Sequence, residues 1–189
     1  MHMPLFGEPG SLATPRVRRE MLPGGGFILR SAEALQPHVR CIGDWLEHWA
    51  ATTPDALFLA ERDGTGAWRR LSYAQVREQV GRIAQALLEL RIAADDPVVI
   101  LSDNAVDHAL LMLAAMHIGR PACTVSSAYC RLTKDYSKIK SILDALRPGL
   151  VYASDPAVYG PALEAWGGQA PVVFSKSAGT VAGVRSFAE

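Results

Sequence analysis

The sequence predicts an α/β domain: a mostly parallel open sheet with helices on its faces, preceded by an extended N-terminal arm and a β-hairpin. Three observations predict it. Short apolar runs rich in β-branched residues alternate with segments of helical period, at spacings of about 22–28 residues, which implies parallel strands joined by right-handed crossovers. The run over residues 97–101 is apolar without alternation, as a strand covered on both faces must be. Finally, 189 residues with 49% hydrophobic and 20% charged content are enough for one substantial core.

Residues 1–43 read as the extended arm. Pro4, Pro9, Pro15, Pro23, Pro37 and the run Gly24, Gly25, Gly26 punctuate it, no period of either kind is sustained, and the glycines read as a flexible bend. The α/β body is assigned to residues 44–175. It opens with a short amphipathic helix in which Trp45, Leu46, Trp49 and Ala50 share a face and Thr53 and Pro54 stop the run. Residues 56–60 and 68–71 flank Asp63, Gly64, Thr65 and Gly66, which is hairpin chemistry with glycines available for positive φ.

Ser72 opens the clearest helix, because Gln75 stands where the partner of a capping box belongs. Tyr73, Val76, Val80, Ile83, Ala84, Leu87 and Leu90 give it one apolar face. The central strand at 97–101 follows. A helix over 104–117, with Leu110, Leu113, Ala114 and His117 at helical spacing, ends at Gly119 and returns the chain to a strand at 121–125. Tyr136, Ile139, Ile142, Leu143 and Leu146 form the next helical face before a strand at 150–153. A weaker helix over 157–166, interrupted by Gly160 and Pro161, precedes a strand at 172–174. Residues 176–189 read as a polar tail, with no clear fifth parallel strand.

Charge and cysteine usage exclude several function classes. Lys+Arg and Asp+Glu are both 19, so no broad field attracts nucleic acid, and the basic run Arg16, Arg18, Arg19 reads as a solvated arm. Cys41, Cys123 and Cys130 are odd in number and lack zinc or redox spacing, which suggests reduced thiols and a cytoplasmic location. No apolar stretch approaches a membrane span, and Met1 to Gly10 lacks the features of a secretory leader.

The motifs that would carry chemistry are conspicuous by what they lack. The turn after Leu101 reads Ser102, Asp103, Asn104, not a dinucleotide glycine fingerprint. Ser175, Lys176, Ser177, Ala178, Gly179, Thr180 follow a strand but do not close in Gly-Lys-Ser/Thr, so they read as a polar loop leaving the sheet. His2, His38, His48, His108 and His117 are scattered, and none pairs with another at i, i+4; His117 reads as capping or packing a helix end. Asp44 with His48, and Asp103 with Asp107 and His108, sit near helix starts, where capping explains the carboxylates. No serine stands in a Gly-x-Ser-x-Gly elbow.

Three stretches carry a resemblance: Trp45-Leu-Glu-His-Trp-Ala-Ala-Thr-Thr-Pro-Asp-Ala, then Trp68-Arg-Arg-Leu-Ser-Tyr-Ala-Gln, then Val98-Val-Ile-Leu-Ser-Asp-Asn running on to Leu110-Leu-Met-Leu-Ala-Ala-Met-His-Ile-Gly. Together they resemble the N-terminal region of the AMP-forming acyl-CoA synthetases, the adenylate-forming superfamily. Ile28-Leu-Arg-Ser-Ala-Glu-Ala-Leu, Val125-Ser-Ser-Ala-Tyr and Leu146-Arg-Pro-Gly-Leu-Val-Tyr-Ala are most similar to the feruloyl-CoA synthetase branch.

The resemblance implies a parent enzyme that uses ATP and Mg²⁺ to join an aromatic or other carboxylic acid to AMP, then passes the acyl group to coenzyme A. It also implies a Ser/Thr/Gly-rich loop ending in Pro-Lys-Gly, a magnesium-binding glutamate, a ribose-binding aspartate and a lysine on a mobile C-terminal domain. None has a matching position in this sequence, since Val181 and Ala182 stand where Pro-Lys-Gly should approach. No catalytic, cofactor-binding or metal residue is therefore assigned. The chain is expected to be an inactive N-terminal fragment with no cofactor bound, prone to self-association through uncovered strand edges. Two other readings compete: a receiver-like phosphoacceptor domain, because Asp103, Asp155 and Ser175 all follow strands, and a non-catalytic interaction module whose gene ends near Glu189.

Overall fold

The computed structural model of the chain describes residues 16–90, 92–133, 135–176 and 185–186. The chain divides into two units between His38 and Val39. In the first, the arm does not stay extended. Strands β1 (Val17–Met21) and β2 (Phe27–Ser31) pair antiparallel, with Met21 opposite Phe27 and Val17 opposite Ser31. Leu22 N–H donates to the Gly26 carbonyl at 2.8 Å, and Gly24 and Gly25 take φ of +93° and +88°. The glycine run is thus a hairpin turn that needs left-handed backbone, not a loose bend. The pattern hid this because β1, reading Val-Arg-Arg-Glu-Met, is exposed at every position and has no buried face to impose alternation.

The second unit begins with helix α1 (Ile42–Thr52), which buries Leu46. Strands β3 (Leu57–Arg62) and β4 (Trp68–Ser72) form the expected hairpin as a separate two-stranded sheet. Its turn is fixed by Asp63, whose Oδ1 accepts from Thr65 N–H at 2.8 Å, the Thr65 hydroxyl at 2.6 Å and Ala67 N–H at 3.0 Å. Helix α2 (Tyr73–Glu89) leaves β4 directly through the capping box: Gln75 N–H donates to Ser72 Oγ at 3.4 Å, and Ser72 N–H donates to Gln75 Oε1 at 2.9 Å.

Alternating elements then follow as β5 (Val98–Leu101), α3 (Val106–His117), β6 (Ala122–Val125), α4 (Ala128–Arg131), α5 (Ser137–Leu146), β7 (Leu150–Ala153), α6 (Pro156–Trp166), β8 (Val172–Phe174) and β9 (Arg185–Ser186). The strands pair in the order β6-β5-β7-β8-β9, parallel throughout. The two faces of this sheet have different cores. Val98, Ile100, Leu150 and Tyr152 pack with α2 and α3 residues such as Val76, Val80, Leu110 and Ala114. Val99, Leu101, Val151 and Ala153 pack with Ile139, Leu143, Tyr159 and Ala162 of α5 and α6. This alternation, with every residue of β5 and β7 buried, is why those strands read as continuous apolar runs.

Two further expectations are corrected, and one short helix is added. Helix α6 runs unbroken through Gly160 and Pro161, because burial of Tyr159, Ala162 and Leu163 holds it on the sheet, offsetting the roughly 3 kcal/mol cost of an interior proline. The four-residue α4 is too short to show a period. A fifth parallel strand, β9, exists within the segment read as a polar tail, with two residues pairing to β8.

The connection from α2 to β5 is held from below. Arg120, only 9% exposed, donates Nη1 to the Ala93 carbonyl and Nη2 to the Ile92 carbonyl, the latter at 2.7 Å. Gly149 lies under the same connection, where a Cβ would stand 2.8 Å from Asp96 Cβ. Among the described residues, no helix is long and apolar enough to cross a membrane, and Cys41, Cys123 and Cys130 are free thiols.

Candidate functional site

Strand β5 is followed by a neighbour on one side, β6, and the chain then crosses to β7 on its other side. In open α/β sheets such a reversal opens a crevice at the carboxyl ends of the strands, where ligands are held. The turns at this edge carry Ser102 and Asp103 after β5, Ser126 and Ser127 after β6, Asp155 after β7, and Ser175 and Lys176 after β8. Polar residues collect here because the hydrophobic strands end and their backbone must turn into solvent.

A groove of ≈ 520 Å³ runs along the β5 and β6 turns, lined by Ser102, Asp103, Asn104, His108, Thr124 and Ser127 among others. Ser102 is buried, its Oγ donating to the Asp103 carbonyl at 2.8 Å and lying 2.7 Å from His108 Nδ1. With the single hydroxyl hydrogen given to the carbonyl, hydrogen counting assigns Nδ1–H as the donor to Ser102 and leaves Nε2 an acceptor. Burial, partly opposed by the Asp103 backbone, holds the imidazole below its ordinary pKa and so favours the neutral ring.

Asp44 stands in the first turn of α1, as expected, but Asp103 and Asp107 have other partners. Asp103 accepts from the Ser127 hydroxyl at 2.5 Å and Arg131 Nη1 at 2.6 Å, tying the β5 turn to α4. The N-cap of α3 is Ala105, which offers no side chain, and the Val106 N–H is taken instead by Glu61 Oε2 of β3 at 2.8 Å. Asp107 does sit in the first turn of α3, yet its Oδ1 accepts from Arg69 Nη1 at 2.8 Å and its Oδ2 from the Ser175 hydroxyl at 2.6 Å. Arg69 also donates to Glu61 Oε1 at 3.0 Å. Burial disfavours the Arg69 charge, but Asp107 and Glu61 outweigh it and the guanidinium pKa is raised. Tyr152 lies 2.6 Å from Ser175 Oγ, and burial, only partly offset by that contact, pushes its phenol up to about 12.

At the β7 and β8 turns, Asp155 caps α6 through Ala157 N–H at 2.9 Å and accepts from Lys176 Nζ at 2.6 Å. The hydrogen bond from Lys176 leads the causes that lower the Asp155 pKa. Of the loop-like stretch 175–180, Ser175 and Lys176 are thus structural partners at the sheet edge, and residues 177–180 lie outside the described residues. His2 lies outside them too. His48 is exposed, packing edge-on against Trp49 with a centroid separation of 4.9 Å, and His117 is exposed at the end of α3.

These side chains do not fit a divalent cation. Asp103, Asp107 and Asp155 are each engaged by Arg131, Arg69 and Lys176 respectively, and no group of three or more His, Cys, Asp or Glu among the described residues could hold a metal. The same pairings bear on the phosphoacceptor reading. The strand order here is the one that such receiver folds share, but the two aspartates it needs are tied to cations.

Sequence reasoning missed Ser102 with His108, and Glu61 with Arg69. The first pair spans a strand, a turn and a helix start, and has no periodic signal. The second had one: once the Asp63 turn sets the hairpin register, Glu61 stands opposite Arg69 and their opposite charges are cross-strand neighbours.

Known proteins share this architecture. The chain is similar to a Rhodopseudomonas palustris protein described as a long-chain-fatty-acid CoA ligase, with a TM-score of 0.63 and 23% identity over 80% of this chain and 36% of that one. A Mycobacterium tuberculosis fatty acyl CoA synthetase matches with a TM-score of 0.58 and 24% identity, over 78% of this chain and 26% of that one. The N-terminal subdomain of Klebsiella oxytoca NpsA, solved with 3-hydroxyanthranilyl-AMSN, matches with a TM-score of 0.57 and 21% identity, over 73% and 31%. The chain therefore spans about a third of the length of these proteins or less, and at such identities the likeness establishes the fold. The family model described as AMP-binding enzyme matches residues 46–160, from α1 into α6. That segment is more than half of the 189 residues, and the chain belongs to the AMP-binding enzyme family.

Proposed function

We propose that this chain forms the N-terminal part of an ATP-dependent acid–CoA ligase that works through an acyl-adenylate, and that its acid is ferulate or a related aromatic acid. The family match over residues 46–160 carries the ligase reading. The aromatic acid rests on the branch resemblance at residues 28–35, 125–129 and 146–153.

The chemistry answers a definite need. A carboxylate oxygen is a poor leaving group, and transfer to AMP with loss of pyrophosphate turns it into a good one that the coenzyme A thiol can displace. In the parent enzyme ATP with Mg²⁺ would supply that activation, and coenzyme A the thiol that takes the acyl group as AMP leaves. In this reading the 44–175 body is scaffold, the 1–43 arm precedes it and the 176–189 tail leads towards the nucleotide-binding part. The committed carboxylates at the sheet edge favour this division of labour, because Asp103, Asp107 and Asp155 support turns and helices.

The test is ATP–pyrophosphate exchange and acyl-CoA formation by the intact gene product with a panel of acids. Exchange with ferulate or its relatives supports both parts of the reading. Exchange with aliphatic acids alone removes the aromatic assignment, and no exchange with any acid removes the ligase. The 189-residue chain by itself is expected to give none.

A further inference from the structure

The β3–β4 hairpin and the five-stranded sheet share no strand pairing, yet one polar chain links them. Val106 N–H donates to Glu61, Arg69 donates to Glu61 and to Asp107, Ser175 donates to Asp107, and Tyr152 lies within hydrogen-bond distance of Ser175. The participants come from β3, β4, α3, β7 and the exit of β8, and the contacts are partly buried. Asp107 is the junction, with one carboxylate oxygen facing the hairpin and the other facing the β8 exit. The backbone bonds of the exit itself are long, Ser175 N–H reaching the Ala153 carbonyl at 3.3 Å and Lys176 N–H the Ser154 carbonyl at 3.2 Å, and beyond them Lys176 Nζ is held by Asp155 at 2.6 Å.

We infer that Arg69, Asp107 and Ser175 form a latch through which the β3–β4 hairpin sets the position of the chain where it leaves β8. Asp107 is the positioning residue of this latch. Its two oxygens can serve both sides at once only while the hairpin presents Arg69 and the β8 exit presents Ser175, so displacement of either partner releases a hold on the other. Because the β8 exit lies on the carboxyl edge, the ligand-holding side of sheets of this type, the hairpin controls the geometry of that edge without touching a ligand. The inference rests on the geometry of this chain and stands apart from the identity of the acid.

Residue-resolved amide hydrogen exchange on the full 189-residue chain tests it. Arg69→Met should raise exchange at the Ser175 and Lys176 amides by about tenfold, the scale of losing one hydrogen bond to a charged group. The Val98 amide, bonded to the Pro121 carbonyl at the opposite end of β5, should not change. Arg69→Lys keeps the charge but, on its shorter stem, does not place a nitrogen where Arg69 Nη1 bridges Glu61 and Asp107, and should give a smaller rise at the same two amides. Ser175→Ala should raise them by itself, and adding Arg69→Met should then have little further effect, because the link is already cut. An Arg69 effect confined to the hairpin and Val106 in both variants, or additive effects in the double variant, would overturn the latch.

Discussion

Arg120→Ala tests how the fold closes beneath the sheet. In the wild type Arg120 is 9% exposed, and its guanidinium donates to two backbone carbonyls, Ile92 and Ala93, in the link from α2 to β5. Hydrogen bonds to a charged group contribute about 1.5–3 kcal/mol each, and removing the buried charge recovers part of its desolvation. A net loss of about 3 kcal/mol follows. For a chain of this size each kcal/mol lowers Tm by roughly 2–4 °C, so the variant should melt about 6–12 °C lower. The Arg120 backbone N–H, bonded to the Ala115 carbonyl, survives the substitution, so the loss reports the side chain. Urea unfolding followed by far-UV circular dichroism measures it, with Arg120→Lys expected to fall between wild type and Ala because one ammonium cannot fork to both carbonyls. An Ala variant within about 0.5 kcal/mol of wild type would refute the argument, since that is the range of an ordinary surface change.

Other consequences can be checked in the same melts. Gly149→Ala places a Cβ 2.8 Å from Asp96 Cβ and 3.2 Å from Ile92 Cβ, atoms fixed close to the backbone, and should cost about 1–3 kcal/mol. Glu61→Ala removes both the acceptor for Val106 N–H and a partner of Arg69, and should cost about 1–2 kcal/mol. The His108 pKa is lowered in the folded state from an ordinary 6.5, so its neutral ring contributes stability that is fully present above about pH 6.5 and is lost as pH falls through the lowered value. The urea midpoint of wild type should therefore drop more between pH 7.5 and pH 5.5 than that of His108→Asn.

What was legible in the sequence was local or periodic. Ser72 and Gln75 announce α2 because a capping box is made by residues three apart, and β5 and β7 announce themselves because burial on both faces leaves only apolar residues. What was hidden depends on distance or on the lack of a buried face. The β1–β2 hairpin exposes both sides of β1, so nothing selects alternation. Pro161 looked like a break, and only the packing of Tyr159 and Leu163 keeps α6 whole. Asp107 stands in the first turn of α3 as its spacing predicts, but the side-chain cap on Val106 N–H comes from Glu61, 45 positions away on another sheet, where no local pattern points to it. The family was legible from short stretches in α1, β4 and the β5–α3 unit, and these are structural positions. That is why they identify the scaffold and leave the chemistry of the acid to experiment.

The most direct test of the account is ATP–pyrophosphate exchange measured with ferulate on the intact gene product and on the 189-residue chain side by side. The account predicts acid-dependent exchange by the intact protein and none by the chain alone. Exchange by the isolated chain, or its absence from the intact protein with every carboxylic acid tried, would contradict it.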